Sequence, residues 1–429
     1  MKALLLFLIL PIFGFPQGYT SYFTGNPTNI TTNTEFGVCL MGGATENDNA
    51  MKWLMGKANG GDIVVLRTTG SNGYNNYLYS QIGLTVNSVE TLVITSAAGA
   101  ISPYVLNKVA NAEMIWFAGG DQSTYVNYFK NNALEDALNN HINVKQAPIG
   151  GTSAGMAILG NRYFSAFNGS ITSAQALANP YNTNVTLGIN DFLNVPYLNN
   201  VITDTHFDNP DRKGRLMVFL ARLINETISN FNFGIASNEY TAVCIDNLGN
   251  TKVFGDYPNY PEYAYFVVPS CYAGNYPENL QSGQNLTWNY GGNAALVYKV
   301  AGLPNGSQSF NLTNLFYQGN GNGGEWKRWS INNGQFLEQN ATSYSGCLLN
   351  NSNFNLADAV IYPNPFQDFI NLNDFLGYDL EMYSALGVRI LNIQNLNQPI
   401  LNTNYLKSGV YFLNLSNLKN NKTFKIIKQ

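Results

Sequence analysis

The sequence predicts an α/β fold: a three-layer αβα unit on a mainly parallel sheet, continued by a β-rich extension and closed by a small C-terminal β-sandwich. Three observations predict it. From about Phe36 short apolar runs alternate with helical patterns, as in a parallel sheet covered on both faces. Residues 257–349 are rich in Asn, Gly, Tyr and Trp, with strand-like Tyr265–Val268 and Ala295–Tyr298. The last 70 or so residues are short alternating strands broken by turns at Leu386-Gly387 and Lys407-Ser-Gly409. A length of 429 residues allows two to three domains of about 150 each. The expected division is 1–18, 19–256, 257–350 and 355–429.

At the N-terminus, Met1-Lys2 and the apolar run Ala3–Phe15 form a positive start and a hydrophobic stretch too short to cross a bilayer about 30 Å thick. This is the pattern of a signal peptide cut near Gln17. No later segment is apolar enough to span, so an integral membrane protein is not expected. Charged residues are only 11% of the chain and the net charge is −4. With no basic patch able to neutralise several phosphates, nucleic acid is excluded as an expected partner. The two histidines and four cysteines show no zinc-ligand spacing, so neither a metal nor another cofactor is expected. Cys39 and Cys244 lie in apolar strands and read as buried thiols, while Cys271 and Cys347 lie in looser segments where pairing is open.

In the α/β region the strands are read at Gly37–Gly42, Asp62–Leu66, Thr91–Thr95, Glu113–Ala118 and Ala147–Gly150, with a first helix over Asn47–Ala58. Reactive groups in such sheets gather beyond the carboxyl ends of the strands. After Ala118 stands Gly119-Gly-Asp-Gln122, where two glycines let N–H groups turn into the crevice. Gly120 is thus an oxyanion candidate, against a plain glycine turn with Asp121 as helix cap. After Ile149 stands Gly150-Gly-Thr-Ser-Ala-Gly155, a Gly-x-Ser-x-Gly elbow that exposes Ser153 as a nucleophile and aims the Ala154 N–H at an oxyanion. Ser153 as a simple helix cap is the alternative.

Val201–Thr203 is strand-like and Asn209-Pro210-Asp211 reads as a helix start, leaving His206 in the loop between them. A neutral imidazole there can take the serine proton; a purely structural histidine is the competing reading. His141, at the end of a helical pattern, is read as structural. Glu239, just before the strand Val243–Ile245, can hold the second ring nitrogen and fix the tautomer. Asp204 competes for that role but is poorly placed, two residues away on an extended segment.

Together Gly119-Gly-Asp-Gln122, Gly150-Gly-Thr-Ser-Ala-Gly155, Asp204-Thr-His-Phe with Arg212-Lys-Gly-Arg-Leu216, and Gly234-Ile-Ala-Ser-Asn-Glu-Tyr-Thr-Ala242 resemble cyanophycinase and its related exopeptidases, over about residues 36–300. The resemblance implies a fold similar to class I glutamine amidotransferases. It also implies a serine peptidase whose triad is Ser153, His206 and Glu239, and whose substrate is a peptide with an aspartyl amide such as β-Asp-Arg. Gln122, Asp204, Arg212 and Arg215 stand at substrate-holding positions. Thr205 replaces a Gln and Pro210 an Arg expected there, which bears on specificity. By spacing alone, Arg212 and Arg215 could instead pair with Asp208 and Asp211. An inert binding protein and an esterase are the other functions the same residues allow. A homodimer is among the assemblies left open.

Tyr362-Pro-Asn-Pro-Phe366, Gly409–Leu413 and the basic strand Phe424–Gln429 resemble the C-terminal sorting domain of the type IX secretion system. That implies export, secreted or attached to the cell surface, with the secretion machinery as a partner.

Overall fold

In a computed structural model, the described residues are 17–227, 232–269, 276–307, 309–314, 321–341, 361–372, 375–416 and 421–429. Residues 1–16 of the expected signal peptide, Cys271 and Cys347 lie outside them. Two compact units divide at residues 347 and 348.

The first unit is built on two eight-stranded sheets. Sheet one contains β1 (Tyr19–Gly25), β2 (Val38–Met41), β3 (Asp62–Arg67), β4 (Ser88–Ile94), β5 (Met114–Phe117), β6 (Ile149–Thr152), β11 (Ala242–Ile245) and β12 (Thr251–Phe254). Their spatial order is β1-β4-β3-β5-β6-β2-β11-β12. The run from β4 to β2 is parallel, and β1, β11 and β12 are antiparallel edges.

Burial on both faces explains the near-continuous apolar sequences of the parallel strands. On β3, Val64 and Leu66 share a core with Val105 and Val109 of α4 (Pro103–Asn111) and with Leu138 and Ile142 of α6 (Ala133–Asn143). Ile63 and Val65 meet Met51, Leu54 and Met55 of α1 (Asp48–Lys57) on the opposite face. Helix α1 begins where expected because the Asn47 side chain accepts the Asn49 and Ala50 N–H groups.

Sheet two contains β7 (Arg162–Phe164), β8 (Leu187–Ile189), β9 (Val201–Asp204), β10 (Phe233–Ser237), β13 (Tyr263–Pro269), β14 (Ala295–Ala301), β17 (Glu325–Asn332) and β18 (Gln335–Asn340). The order is β18-β17-β14-β13-β10-β9-β7-β8, with β7, β9 and β10 parallel. A two-stranded ribbon of β15 (Ser309–Phe310) and β16 (Gly321–Asn322) accompanies it. The α/β architecture is as expected, and the β-rich segment extends it within one sheet: β13, β14, β17 and β18 continue the sheet that β9 and β10 begin. Val201, Ile235, Phe266 and Tyr298 join the same core as β3, and Ile202, Ala236, Val267 and Val297 face α9 (Lys213–Glu226).

The remaining helices of this unit are α2 (Gly73–Asn76), α3 (Ala97–Ala100), α5 (Gln122–Phe129), α7 (Ala154–Ala157) and α8 (Ser173–Ala178). Helix α9 starts at Lys213, three residues later than the sequence suggests. Residues 208–211 close on themselves in an Asp208–Asp211 bridge, and Asp211 Oδ1 accepts the Lys213 N–H at 3.0 Å. Pro210 is therefore an exposed turn residue, not the first of a helix.

The second unit is all β. Strands β20 (Asp379–Ser384), β21 (Arg389–Ile393), β23 (Gly409–Ser416) and β24 (Asn421–Lys428) form an antiparallel sheet, and β19 (Phe369–Asn371) pairs with β22 (Ile400–Asn402). Alternation decides its core: Tyr411, Leu413 and Leu415 of β23 point inward and their neighbours outward.

Candidate active site

Adjacent parallel strands β3, β5, β6 and β2 end at one edge of sheet one, so the residues that follow them converge. They wall a cavity of about 540 Å³ lined by residues from 44–48, 67, 73–77, 118–119 and 152–153, together with His206.

Ser153 stands between β6 and α7 with φ +52° and ψ −117°, in a region sparsely populated for a residue with a Cβ. Two glycines allow the turn. A Cβ on Gly151 would lie 2.5 Å from the Gly155 carbonyl carbon, and one on Gly155 would lie 2.3 Å from Phe117 O. The Ser153 N–H donates to Met41 O at 3.0 Å, tying the elbow to β2.

Sheet two delivers the other two groups. His206 follows β9 at φ +47°, and its N–H donates to Gly42 O at 2.8 Å. The imidazole lies against Gly43, where a Cβ would come within 2.4 Å of Cε1 and Nε2. Glu239 follows β10, held by its N–H to Asp208 Oδ1 at 3.0 Å.

The result is a continuous chain of contacts: Ser153 Oγ lies 2.8 Å from His206 Nε2, and His206 Nδ1 lies 2.6 Å from Glu239 Oε1. Asn209 Nδ2 donates to Glu239 Oε2 at 3.4 Å. The hydrogen bond from His206, followed by that from Asn209, holds the Glu239 carboxyl below its usual range and so ionised.

The glycine turn after β5 places Gly119 on the cavity wall, where a Cβ would be 3.6 Å from Ser153 Cβ. Gly120, the residue singled out from sequence, is one position further on and does not line the cavity. Ala154 is the first residue of α7, where an N–H has no intrahelical acceptor.

The expected substrate-holding residues do not gather around Ser153. Asp204 and Arg215 are each 3% exposed and form a two-pronged pair, with Arg215 Nε on Asp204 Oδ2 at 3.0 Å and a second bond from NH2 to Oδ1. The helix pairing of Arg215 with Asp211 is thus not the one made. Thr205 is buried at 5%, and Arg212 donates to its carbonyl at 2.8 Å. Burial, then neighbouring Arg215, lowers Arg212 to about 10, still protonated at neutral pH. Gln122 opens α5 behind the Asp121 cap, whose carboxylate accepts the Ser123 N–H at 2.9 Å. Asp204, Thr205, Arg212, Arg215 and Gln122 all lie off the cavity lining.

Sequence reading missed Glu46, Asp48, Arg67, Tyr74 and Tyr77, which do line it. The signal available was position: Arg67 is the last residue of β3, and residues 42–48 follow β2.

Residues 74–247 match peptidase family S51, and residues 360–429 match the secretion system C-terminal sorting domain. No curated protein matches the chain. Among solved structures, a peptidase from an acI-B1 Actinobacterium is 15% identical, with 54% of this chain and 94% of that one covered and a TM-score of 0.39. A putative peptidase E protein from Listeria monocytogenes EGD-e is also 15% identical, covering 50% and 96%, with a TM-score of 0.31. Among the described residues no helix is long and apolar enough to cross a membrane. The chain thus carries a peptidase family S51 domain and ends in a type IX secretion sorting domain, the combination of a secreted peptidase.

Proposed function

We propose that the protein is a serine-type exopeptidase, similar to cyanophycinase, that hydrolyses the amide after an aspartyl residue, β-Asp-Arg or a related isoaspartyl bond among its substrates. The observation that supports this best is the Ser153–His206–Glu239 relay at 2.8 and 2.6 Å on the wall of an open cavity.

In this reading Ser153 Oγ attacks the scissile carbonyl while His206 Nε2 takes the hydroxyl proton. Glu239 fixes the ring with its proton on Nδ1 and stabilises the imidazolium that forms. The tetrahedral oxyanion is met by the Ala154 N–H and by the N–H of Gly119, the residue of the glycine turn that lines the cavity. His206 then passes the proton to the leaving amine. Water hydrolyses the acyl-enzyme by the same steps in reverse.

Incubating the wild type and Ser153→Ala with peptides containing α- and β-linked Asp-Arg, with products read by mass spectrometry, tests the reading. Release that falls at least about 10⁴-fold in a folded Ser153→Ala supports it; release that survives the substitution overturns it.

A further inference from the structure

Cys39 of β2 and Cys244 of β11 are buried free thiols that the relay does not use. In the antiparallel β2–β11 pair they stand directly opposite each other. The Gly42 N–H donates to Thr241 O at 2.9 Å, which makes 42 and 241 a hydrogen-bonded pair of the same register. Hydrogen-bonded and open pairs alternate along such a ladder, so 41 with 242 is open, 40 with 243 is bonded and 39 with 244 is open. In an open pair the side chains are closest and the Cα atoms are about 4.5 Å apart, within the range of about 4.4–6.8 Å that a disulfide spans.

Alternation also puts both sulfurs on one face of sheet one. Cys39, Met41, Ala242 and Cys244 share the core under α1 with Met51 and Leu54, while Leu40 and Val243 belong to the core on the opposite face. On its other side Cys39 faces Gly150 of β6, which has no side chain, and Cys244 faces the exposed Lys252 of β12. Within that row the two thiols are each other's neighbour. Burial, and then the hydrogen bond with Cys39, push the Cys244 thiol up, so it keeps its proton in the folded chain. The same two strands frame the relay. Gly42 O accepts the His206 N–H at 2.8 Å, and the Tyr240 N–H, next to Glu239, donates to Gly43 O at 3.0 Å.

We propose that Cys39 and Cys244 are joined by a disulfide when the chain folds outside the cytosol, a covalent staple between the strands that frame His206 and Glu239. The C-terminal sorting domain marks an exported chain, and export leads to an oxidising compartment where disulfides persist. The bond forms by thiol–disulfide exchange with an oxidant that itself carries a disulfide. The Cys39 and Cys244 S–H bonds are lost as one S–S bond forms, and the two electrons and two protons reduce the oxidant's disulfide to two thiols. Because a thiolate is the attacking species, exchange takes place before α1 covers the pair. The loop closed between positions 39 and 244 is about 200 residues long, so the bond strongly restricts the unfolded chain. The staple needs no particular reaction at Ser153.

The test uses the full chain, folded in a mixture of oxidised and reduced glutathione. Free thiols are blocked with N-ethylmaleimide in denaturant, and the chain is then digested without reductant and read by mass spectrometry. The expected result is that the peptides containing Cys39 and Cys244 are joined to each other in most molecules. A folded chain in which both carry maleimide, or in which either is joined to Cys271 or Cys347, overturns the staple. This comparison needs no substitution, so a variant that fails to fold does not decide it. The order of events is read by giving the same mixture to a chain already folded in reductant. Linkage should then be at least about 10-fold slower, and equal rates overturn closure before burial. Urea unfolding should give the oxidised chain a higher midpoint than the reduced one, and Cys39→Ala with Cys244→Ala should remove the difference. Equal midpoints, or a difference that persists in the double variant, overturn the stabilising role of the bond.

Discussion

His206 has one glycine to thank for its position. A methyl group at Gly43 would lie 2.4 Å from two ring atoms, at a φ of +125° that side chains rarely adopt. Gly43→Ala should therefore displace the imidazole and reduce kcat by about 10²-fold or more, since a shift of about 1 Å at a catalytic group has that effect. Peptide turnover together with a thermal melt checks it; unchanged kcat in a folded variant contradicts the placement. Glu239 gives a second prediction. Glu239→Gln keeps shape but favours the wrong imidazole tautomer, so kcat should fall by up to about 10⁴-fold with little change in KM. Because its folded-state pKa is depressed by His206 and Asn209, the carboxylate's contribution to stability is complete at neutral pH. It is lost only as pH falls through and below the ordinary carboxylate range. The three relay residues were legible in the sequence because each follows a strand in a short motif whose residue types suit one role. Glu46, Asp48 and Arg67 were not, because they meet only through the order β3-β5-β6-β2, in which spatial neighbours come from distant parts of the chain.

At the scale of elements, β9 and α9 are locked by Asp204 and Arg215, both 3% exposed and bonded twice. Removing one partner leaves an uncompensated buried charge, so Asp204→Asn should destabilise the first unit by about 3–5 kcal/mol. Urea unfolding measures this; a loss under about 1 kcal/mol contradicts a structural role for the pair. Sequence spacing suggested Asp211 for Arg215 because i,i+4 neighbours share a helix face. That pairing fails because residue 211 precedes the helix: its carboxylate accepts the Lys213 N–H instead. Strand identity in β13 and β14 was plain from their apolar runs. Membership of sheet two was not, since antiparallel partners are fixed by long-range register that no local pattern encodes.

Across the whole molecule, the two units have separate cores, one drawn from both large sheets and one from Ile361 to Ile426. Stability of the first unit should depend on pH through His141, which burial lowers to about 4 while its Nε2 bonds Pro148 O at 3.1 Å. The unfolded chain takes up the proton near pH 6.5, so stability is full above that value and declines as pH falls from about 6.5 to about 4. The decline is on the order of 3 kcal/mol. A His141→Gln variant should flatten the denaturation midpoint across that window, whatever its absolute stability; an unchanged slope contradicts the assignment. The proposed function requires Ser153 to be an activated nucleophile, and intact-mass analysis after fluorophosphonate treatment tests that most directly. One adduct, mapped to Ser153 and absent in both Ser153→Ala and His206→Ala, is the predicted result. A folded wild-type chain that takes up no label, or takes it equally without His206, contradicts it.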